Sequence, residues 1–221
     1  MTPVEQDLVE LLASRPAGCR LWPEQTEGPY HRDAPAERSD ITEDRLGVPL
    51  RVGLRLLAAG SGAPLTGVPV EVWHADHEGR YSGFPAFQAQ PGEVVTSASV
   101  PHDLVAPGET FLRGAQRTDE QGMCAFRTIY PGWYSSRAVH IHLRAHLGSR
   151  EATTQLYFPE AVTDAVFSVP PYAGRPQRDT TNETDGIFIE EHGEQAVLHL
   201  EGSPTAGYTA ILCFAVADAE G

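Results

Sequence analysis

Two histidines separated by one residue carry the strongest chemical signal in this sequence. His140 and His142 follow Val139 in a stretch where apolar and polar residues alternate. Side chains two residues apart on a strand share a face, so both imidazoles should point the same way, about 7 Å apart along the strand. Imidazoles arranged in this way can bind one metal ion. A bare His-x-His pair is also typical of a solvated strand face, so the pattern needs further donors.

Two tyrosines offer donors of a harder kind. Tyr134 lies shortly before His140, and Tyr81 follows a turn sequence, Asp-His-Glu-Gly, at 76–79. An unperturbed phenol titrates near pH ~10, so a tyrosine becomes a ligand only where a metal charge replaces its proton. Two phenolates and two imidazoles would suit Fe(III) and leave a fifth position for solvent. Taken alone, each tyrosine is more often a packed or hydrogen-bonding strand residue.

Composition limits the other function classes. The 221 residues are 41% hydrophobic and 21% charged, as in one globular domain. A net charge of −14 argues against binding to nucleic acid or to an anionic membrane. No apolar run approaches the ~20 residues that span a bilayer. The N-terminus is acidic and has no apolar signal-peptide region, which predicts a cytoplasmic protein, although a processed chain would look the same.

The cysteines do not form a recognisable framework. Cys19, Cys124 and Cys213 are odd in number, far apart and without Cys-x-x-Cys spacing. A zinc ribbon or a disulfide scaffold is therefore not expected. One disulfide would be compatible with this spacing, but the interpretation adopted is three free thiols.

The rest of the pattern predicts an all-β protein. A short helix is expected at the start, where Val4, Leu8, Leu11 and Leu12 form one apolar stripe that Pro16 ends. An irregular arm should follow over 19–47. Short alternating runs separated by Gly and Pro turns then indicate a β-sandwich of two mixed sheets. The expected strands include 50–56, 68–74, 139–147, 153–158, 186–190, 196–200 and 208–216. The predicted division is a helix and arm at 1–48 packed on a catalytic domain at 49–221.

Several segments together resemble the intradiol ring-cleavage dioxygenases, the family of catechol 1,2-dioxygenase and protocatechuate 3,4-dioxygenase. The similarity covers roughly residues 19–160 in the correct order. The segments that carry it are Val-Trp-His-Ala-Asp…Gly-Arg-Tyr-Ser (72–82), Phe-Arg-Thr-Ile-Tyr-Pro-Gly-Trp-Tyr (126–134), Arg-Ala-Val-His-Ile-His (137–142), Thr-Thr-Gln-Leu-Tyr-Phe (153–158) and the earlier Glu-Gln-Thr-Glu-Gly-Pro-Tyr (24–30). The short stretch between Tyr134 and His140 is similar to a single-domain branch that includes secreted members.

The resemblance implies a role for each matching residue. Tyr81 and His140 would be equatorial ligands of Fe(III), and Tyr134 and His142 axial ligands. The other implied site residues are Arg137, which stabilises charge on the substrate ring, Gln155, which hydrogen-bonds nearby, and the pocket-lining residues Thr26, Gly28, Pro29 and Tyr30. An aromatic ortho-diol would displace Tyr134, which would accept a substrate proton. Reaction with O2 would then give a muconate-type diacid.

Two other function classes remain open from the residues alone. A cupin-like metal enzyme could use the His-x-His pair, although His146 stands where such a site would place a glutamate. A transthyretin-like or carbohydrate-binding sandwich would leave the tyrosines as packing residues. The helical dimerisation region of catechol 1,2-dioxygenases has no counterpart here, so their dimer is not carried over and a homo-oligomer is left open. His74 is expected to be structural, and Arg80, Arg113 and Arg117 are expected to be solvated.

Overall fold

The computed structural model describes residues 18–85 and 106–217. The helix predicted from Val4, Leu8, Leu11 and Leu12 lies outside these ranges. The strands are β1 Arg20–Leu21, β2 Pro49–Ala58, β3 Pro69–Trp73, β4 Arg113–Arg117, β5 Met123–Ile129, β6 His140–Leu147, β7 Arg150–Tyr157, β8 His199–Ser203 and β9 Gly207–Val216. The helices are Glu160–Phe167 and Gly186–Glu190, with short 3-10 helices at Tyr172–Gly174 and Gly193–Ala196.

The strands form two sheets. The first has the order β1-β9-β2-β5, with β8 also paired to β9, and the second has the order β4-β3-β6-β7. The predicted β-sandwich is confirmed, with one mixed sheet instead of two. In the first sheet β9 runs parallel to both β1 and β2, a pairing open to strands that no tight turn connects. In the second sheet every described pair is antiparallel.

The hydrophobic core lies between the two sheets. It occupies one face of the second sheet and leaves the other face for the candidate site residues. Leu50 and Leu54 of β2 are fully buried in this core. Ile141 and Leu143 of β6 pack into the same core from the other sheet. Because side chains alternate along a strand, His140, His142, Arg144 and His146 of β6 project from the opposite face of the second sheet.

Two predicted strands are wrong, and one helix was not predicted. Residues 186–190, predicted as a strand, form a helix because Asp185 caps its first turn by accepting from the backbone N–H groups of Ile187 and Phe188. The strand predicted at 196–200 starts too early: residue 196 is the last residue of a 3-10 helix, and β8 begins at His199. The helix Glu160–Phe167 buries only Thr163 and Val166, so its sequence carries little helical periodicity.

The expectation of three free thiols is also wrong. Cys19 and Cys213 form a disulfide, with their Cα atoms 4.6 Å apart, whereas Cys124 is free and buried. The two partners are 194 residues apart in sequence. The parallel pairing of β1 with β9 brings them together, and such long-range pairing cannot be seen in the cysteine spacing.

The arm between β1 and β2 is attached to the sandwich along its length. Trp22 packs against Phe214, with ring centroids 5.0 Å apart, and Ile41 lies in the main core. The arm therefore shares the hydrophobic core, while the boundary between residues 48 and 49 stays a prediction. Over the described residues, no helix has the length and apolar character required to cross a membrane.

Candidate metal centre

Four side chains meet at one end of the second sheet. The Nε2 atoms of His140 and His142 lie 3.0 Å apart. Tyr81 Oη lies 3.1 Å from His142 Nε2 and 3.4 Å from His140 Nε2, and Tyr134 Oη lies 3.3 Å from His140 Nε2. Donor atoms that bind one ion at about 2 Å must lie about 3 Å from one another. The two oxygens and two nitrogens therefore have the spacing of a common ligand set.

Hydrogen bonding alone does not account for the surroundings of His140. Its Nδ1 lies 2.6 Å from the carbonyl oxygen of Ala138, which can only accept, so the ring proton is assigned to Nδ1. Nε2 then offers one lone pair to three polar neighbours, the two phenol oxygens and His142 Nε2. A cation between these atoms would use all four lone pairs at once.

His142 is held by packing. Its ring stacks on Trp73, with centroids 4.9 Å apart and planes inclined by 2°. On the arm, a Cβ atom at Gly28 would lie 3.2 Å from His142 Cε1. The buried Nδ1 atom of His142 has no hydrogen-bond partner among the described residues. The orientation of this ring therefore depends on Trp73 and on the close approach of the arm.

The chemistry of the donors also fits a cation. All four ligand candidates are buried, and the most exposed of them, Tyr134, is only 6% exposed. Burial raises the pKa of the Tyr81 and Tyr134 phenols and holds the pKa of both histidines well below the usual value. The imidazoles are thus neutral and ready to donate electron pairs. A metal charge is needed to remove the phenol protons.

A buried arginine lies beside this cluster. Arg137 donates from Nε to Asp185 Oδ2 at 2.9 Å and from Nη2 to Gln155 Oε1 at 2.5 Å. Burial alone would lower the pKa of this arginine, but electrostatic interaction with Tyr134 and Asp185 raises the pKa above its usual value. The guanidinium is therefore permanently charged next to the tyrosine oxygen.

Residues of the arm between β1 and β2 also contact the cluster. Tyr30 stacks on Tyr81, with ring centroids 4.2 Å apart, and meets Tyr134 edge-on at 5.7 Å. The Thr26 carbonyl accepts from Gln155 Nε2 at 2.9 Å. Gly28 lies against His142, and Pro29 is half-buried between Gly28 and Tyr30. The structure thus places Thr26, Gly28 and Tyr30 in contact with the cluster, whereas Pro29 is placed only by its chain neighbours.

Sequence reasoning missed two residues that build the site, and it placed a third wrongly. Asp185 binds Arg137, and Gln25 accepts from the Gln155 backbone N–H at 2.8 Å. No motif marks Asp185, and Gln25 was not singled out within the matching segment at 24–30. Arg113 was expected to be solvated but is 5% exposed. It donates to the Tyr30 carbonyl and to Ser82 Oγ, at 2.7 Å each, because the guanidinium needs buried acceptors once β4 carries it inside. Burial, with the nearby charge of Arg32, lowers the pKa of Arg113 to about 9.

The other histidines that were considered have structural contacts. His74 is buried and lies 2.6 Å from Thr128 Oγ1 through Nε2. His146 is partly exposed and lies 2.7 Å from Glu71 Oε1. Within the described part of the chain, no three His, Cys, Asp or Glu side chains are grouped so as to hold a metal ion. A metal site here therefore needs the two tyrosines, which distinguishes it from a cupin-like site.

Comparison with known proteins agrees with this geometry. The sequence model of the Dioxygenase_C family, described as "Dioxygenase", matches residues 24–174. The structure titled "Intradiol ring-cleavage Dioxygenase from Tetranychus urticae" has a TM-score of 0.79 and 33% identity, covering 91% of this chain and 97% of that one. The dioxygenase domain of a carbohydrate-binding fusion protein from Streptomyces sp. SirexAA-E has a TM-score of 0.62 and 29% identity, covering 90% and 99%.

Curated relatives match over shorter stretches. A chlorocatechol 1,2-dioxygenase from Rhodococcus opacus is 35% identical over 105 residues, covering 44% of this chain and 39% of that protein. The protein of the same name from Cupriavidus pinatubonensis is 28% identical over 158 residues, covering 60% and 52%. The chain thus aligns with about half, or less, of the length of these relatives. The family match over most of the chain and the full-length structural similarity show that this protein belongs to the intradiol ring-cleavage dioxygenase family.

Proposed function

We propose that this protein is a non-haem Fe(III) dioxygenase of aromatic compound catabolism. It cleaves the ring of a catechol-type ortho-diol between the two hydroxyl-bearing carbons, uses both atoms of O2 and forms a cis,cis-muconate-type diacid. The observation that carries the proposal is the meeting of two phenol oxygens and two imidazole nitrogens at 3.0–3.4 Å. Hard phenolate donors favour a hard trivalent cation over softer ions.

Tyr81, Tyr134, His140 and His142 would hold the iron. When bound, Fe(III) draws electron density from a coordinated diol and makes its ring reactive toward O2. The two neutral imidazoles contribute no charge, so the two phenolates would leave one net positive charge to attract a dianionic diol. The protein keeps this charge in a buried site, where water screens it little.

Tyr134 is the residue proposed to move a substrate proton. Its pKa is raised by burial and lowered by the neighbouring charge of Arg137. With a cation at the site Tyr134 would be a phenolate, and it would serve as the base that accepts a hydroxyl proton from a diol bound beside it. Burial favours the neutral phenol that results from this proton transfer.

Arg137 is proposed to stabilise negative charge on the substrate. Its guanidinium is buried beside Tyr134 and is fixed by Asp185 and Gln155. A pre-oriented cation in a water-poor site stabilises developing charge without a reorganisation cost during the reaction. Gln155 contributes by holding Arg137 on one side and the arm carbonyl of Thr26 on the other. Thr26, Gly28, Pro29 and Tyr30 form the arm side of the substrate pocket.

The substrate class is proposed as ortho-diols in general. The curated relatives are named for chlorocatechol and catechol, which is consistent with a substituted or unsubstituted catechol. The test loads the purified protein with iron and measures visible absorbance, oxygen uptake over a panel of catechols, and product mass with isotope-labelled O2. We expect a red to burgundy protein and a product that contains both oxygen atoms. A colourless iron-loaded protein that consumes no oxygen would instead favour a non-catalytic sandwich.

We further propose that the protein works in an oxidising compartment. The support is the Cys19–Cys213 disulfide, a bond that thiol reductants of the cytosol keep open in most proteins. This proposal departs from the cytoplasmic location expected from the N-terminal sequence. Mass analysis of protein isolated from its native host under alkylating conditions would distinguish an oxidising compartment from the cytoplasm. A chain with the disulfide would carry one alkylated cysteine, and a reduced cytoplasmic chain would carry three.

A further inference from the structure

We infer that Asp185 is a positioning residue that sets the geometry of two site groups at once, the Arg137 guanidinium and the His140 imidazole. The inference rests on the proposed function for its link to turnover. The hydrogen bonds that support it lie within the protein and do not involve a substrate.

One oxygen of the Asp185 carboxylate is shared between two donors from the site loop. Oδ2 accepts from Arg137 Nε at 2.9 Å and from the backbone N–H of Ala138 at 2.7 Å. Asp185 is 1% exposed and Arg137 is 6% exposed, so water does not compete for these bonds. Buried charge-assisted hydrogen bonds of this length are strong and directional.

The other oxygen anchors the carboxylate to the fold. Oδ1 accepts from the backbone N–H groups of Ile187 at 2.8 Å and Phe188 at 3.2 Å, and so caps the helix Gly186–Glu190. With both oxygens engaged, the carboxylate has no freedom to rotate. Asp185 thereby holds the loop that precedes β6 in a fixed position relative to this helix.

The link to the metal ligand passes through a single peptide. Asp185 Oδ2 binds the N–H of Ala138, and the Ala138 carbonyl accepts from His140 Nδ1 at 2.6 Å. The bond to this carbonyl keeps the proton on Nδ1, which leaves the Nε2 lone pair for the cation. Asp185 therefore contributes to both the tautomer and the direction of this imidazole without touching the metal position.

The same carboxylate determines where the Arg137 charge lies. With Nε bound to Asp185 and Nη2 bound to Gln155, two edges of the planar guanidinium are fixed. Asp185 also supplies the negative partner that a buried arginine requires. Without it, Gln155 alone would leave the guanidinium able to swing away from Tyr134.

The test uses Asp185→Asn in the full-length, iron-loaded protein. An amide can still cap the helix through its oxygen, but its NH2 group then faces the two donors Arg137 Nε–H and Ala138 N–H. We expect kcat to fall about 10- to 100-fold and iron affinity to fall by a similar factor, the range found when partners of metal ligands are removed. The phenolate–iron absorption band should also shift.

Controls separate positioning from loss of stability. Asp119→Asn is the matched variant, because Asp119 Oδ1 accepts from the backbone N–H groups of Gln121 and Met123 in a turn far from the site. It should leave kcat, iron affinity and the absorption band unchanged. Asp185→Ser, which keeps a helix-capping oxygen but has no carboxylate, serves as the second test and should behave like Asp185→Asn. All values are referred to the folded fraction measured by circular dichroism.

The links from Asp185 to Arg137 and from Asp185 to His140 can be refuted separately. A folded Asp185→Asn protein with wild-type kcat would overturn the Arg137 part. Wild-type iron affinity and an unshifted band would overturn the His140 part. If the wild type turns over no diol, the proposed function fails, but iron titration of Asp185→Asn still decides the link from Asp185 to His140.

Discussion

Replacing Gly28 with alanine tests whether the arm controls the geometry of the proposed metal centre. Gly28 has a φ of +70°, and a Cβ atom there would lie 3.2 Å from His142 Cε1 and 3.9 Å from His142 Nε2. The shorter distance is tighter than ordinary van der Waals contact, so either the imidazole or the arm must move by a few tenths of an ångström. His142 has little room to move, because its ring is also stacked on Trp73.

The expected effect has two components. A left-handed conformation costs about 1–2 kcal/mol in any non-glycine residue, which corresponds to a fall in Tm of about 2–8 °C for a domain of this size. Displacement of His142 should in addition weaken iron binding by about 10-fold, the lower end of the range for disturbed ligand orientation. Only the second component depends on contact with the site.

Gly62→Ala isolates the backbone component. Gly62 has a φ of +69°, nearly the same as Gly28, but a Cβ atom there would have nothing within 4 Å. Both variants should lose a similar amount of stability in thermal unfolding. Only Gly28→Ala should lose iron affinity in a competitive chelator titration and change its visible spectrum. Equal iron affinity and identical spectra in the two variants would refute the claim that the arm positions His142.

Three further perturbations have defined outcomes. Tyr81→Phe removes one of the two phenolate donors, so the variant should lose most of its visible charge-transfer absorbance, and an unchanged spectrum would exclude Tyr81 as a ligand. Cys19→Ser opens the disulfide and should lower the free energy of unfolding by about 2–5 kcal/mol; a reductant should then lower the Tm of the wild type but not that of the variant. The pKa of His74 is lowered to about 4 by burial. The unfolded chain therefore takes up this proton below pH ~6.5 while the folded chain does not, and stability falls by about 1.4 kcal/mol per pH unit down to pH ~4. In urea unfolding, His74→Asn should reduce the loss of unfolding free energy between pH ~6.5 and pH ~4. The same pH dependence in the variant and the wild type would contradict a lowered pKa of His74.

Local sequence patterns were sufficient for much of the fold. The alternation in β2 and β6 identified which residues face the core, because a strand has a fixed period of two. The same period placed His140 and His142 on one face. The sequence was misleading at 186–190, where an apolar run read as a strand forms a helix. There a local feature, the Asp185 carboxylate that caps the first turn, favours the helical conformation.

The sequence by itself determined the types of donor and the order in which they occur. Two phenols, two imidazoles and one guanidinium within recognisable motifs were enough to indicate the family and to predict a metal site. Their meeting point was not determined locally, since Tyr81 and His140 are joined only through the pairing of β3 with β6 and the turn that follows β3.

Only the tertiary structure decided which residues support that meeting point. Asp185 and Arg113 carry no motif, and the segment at 24–30 does not show what Gln25 bonds to. Each of the three acts through bonds to residues far away in sequence. The Cys19–Cys213 bond likewise follows from the pairing of β1 with β9. The physical reason is common to all of them: a buried polar or charged side chain must find partners where the chain happens to pass, and that position is a property of the whole fold.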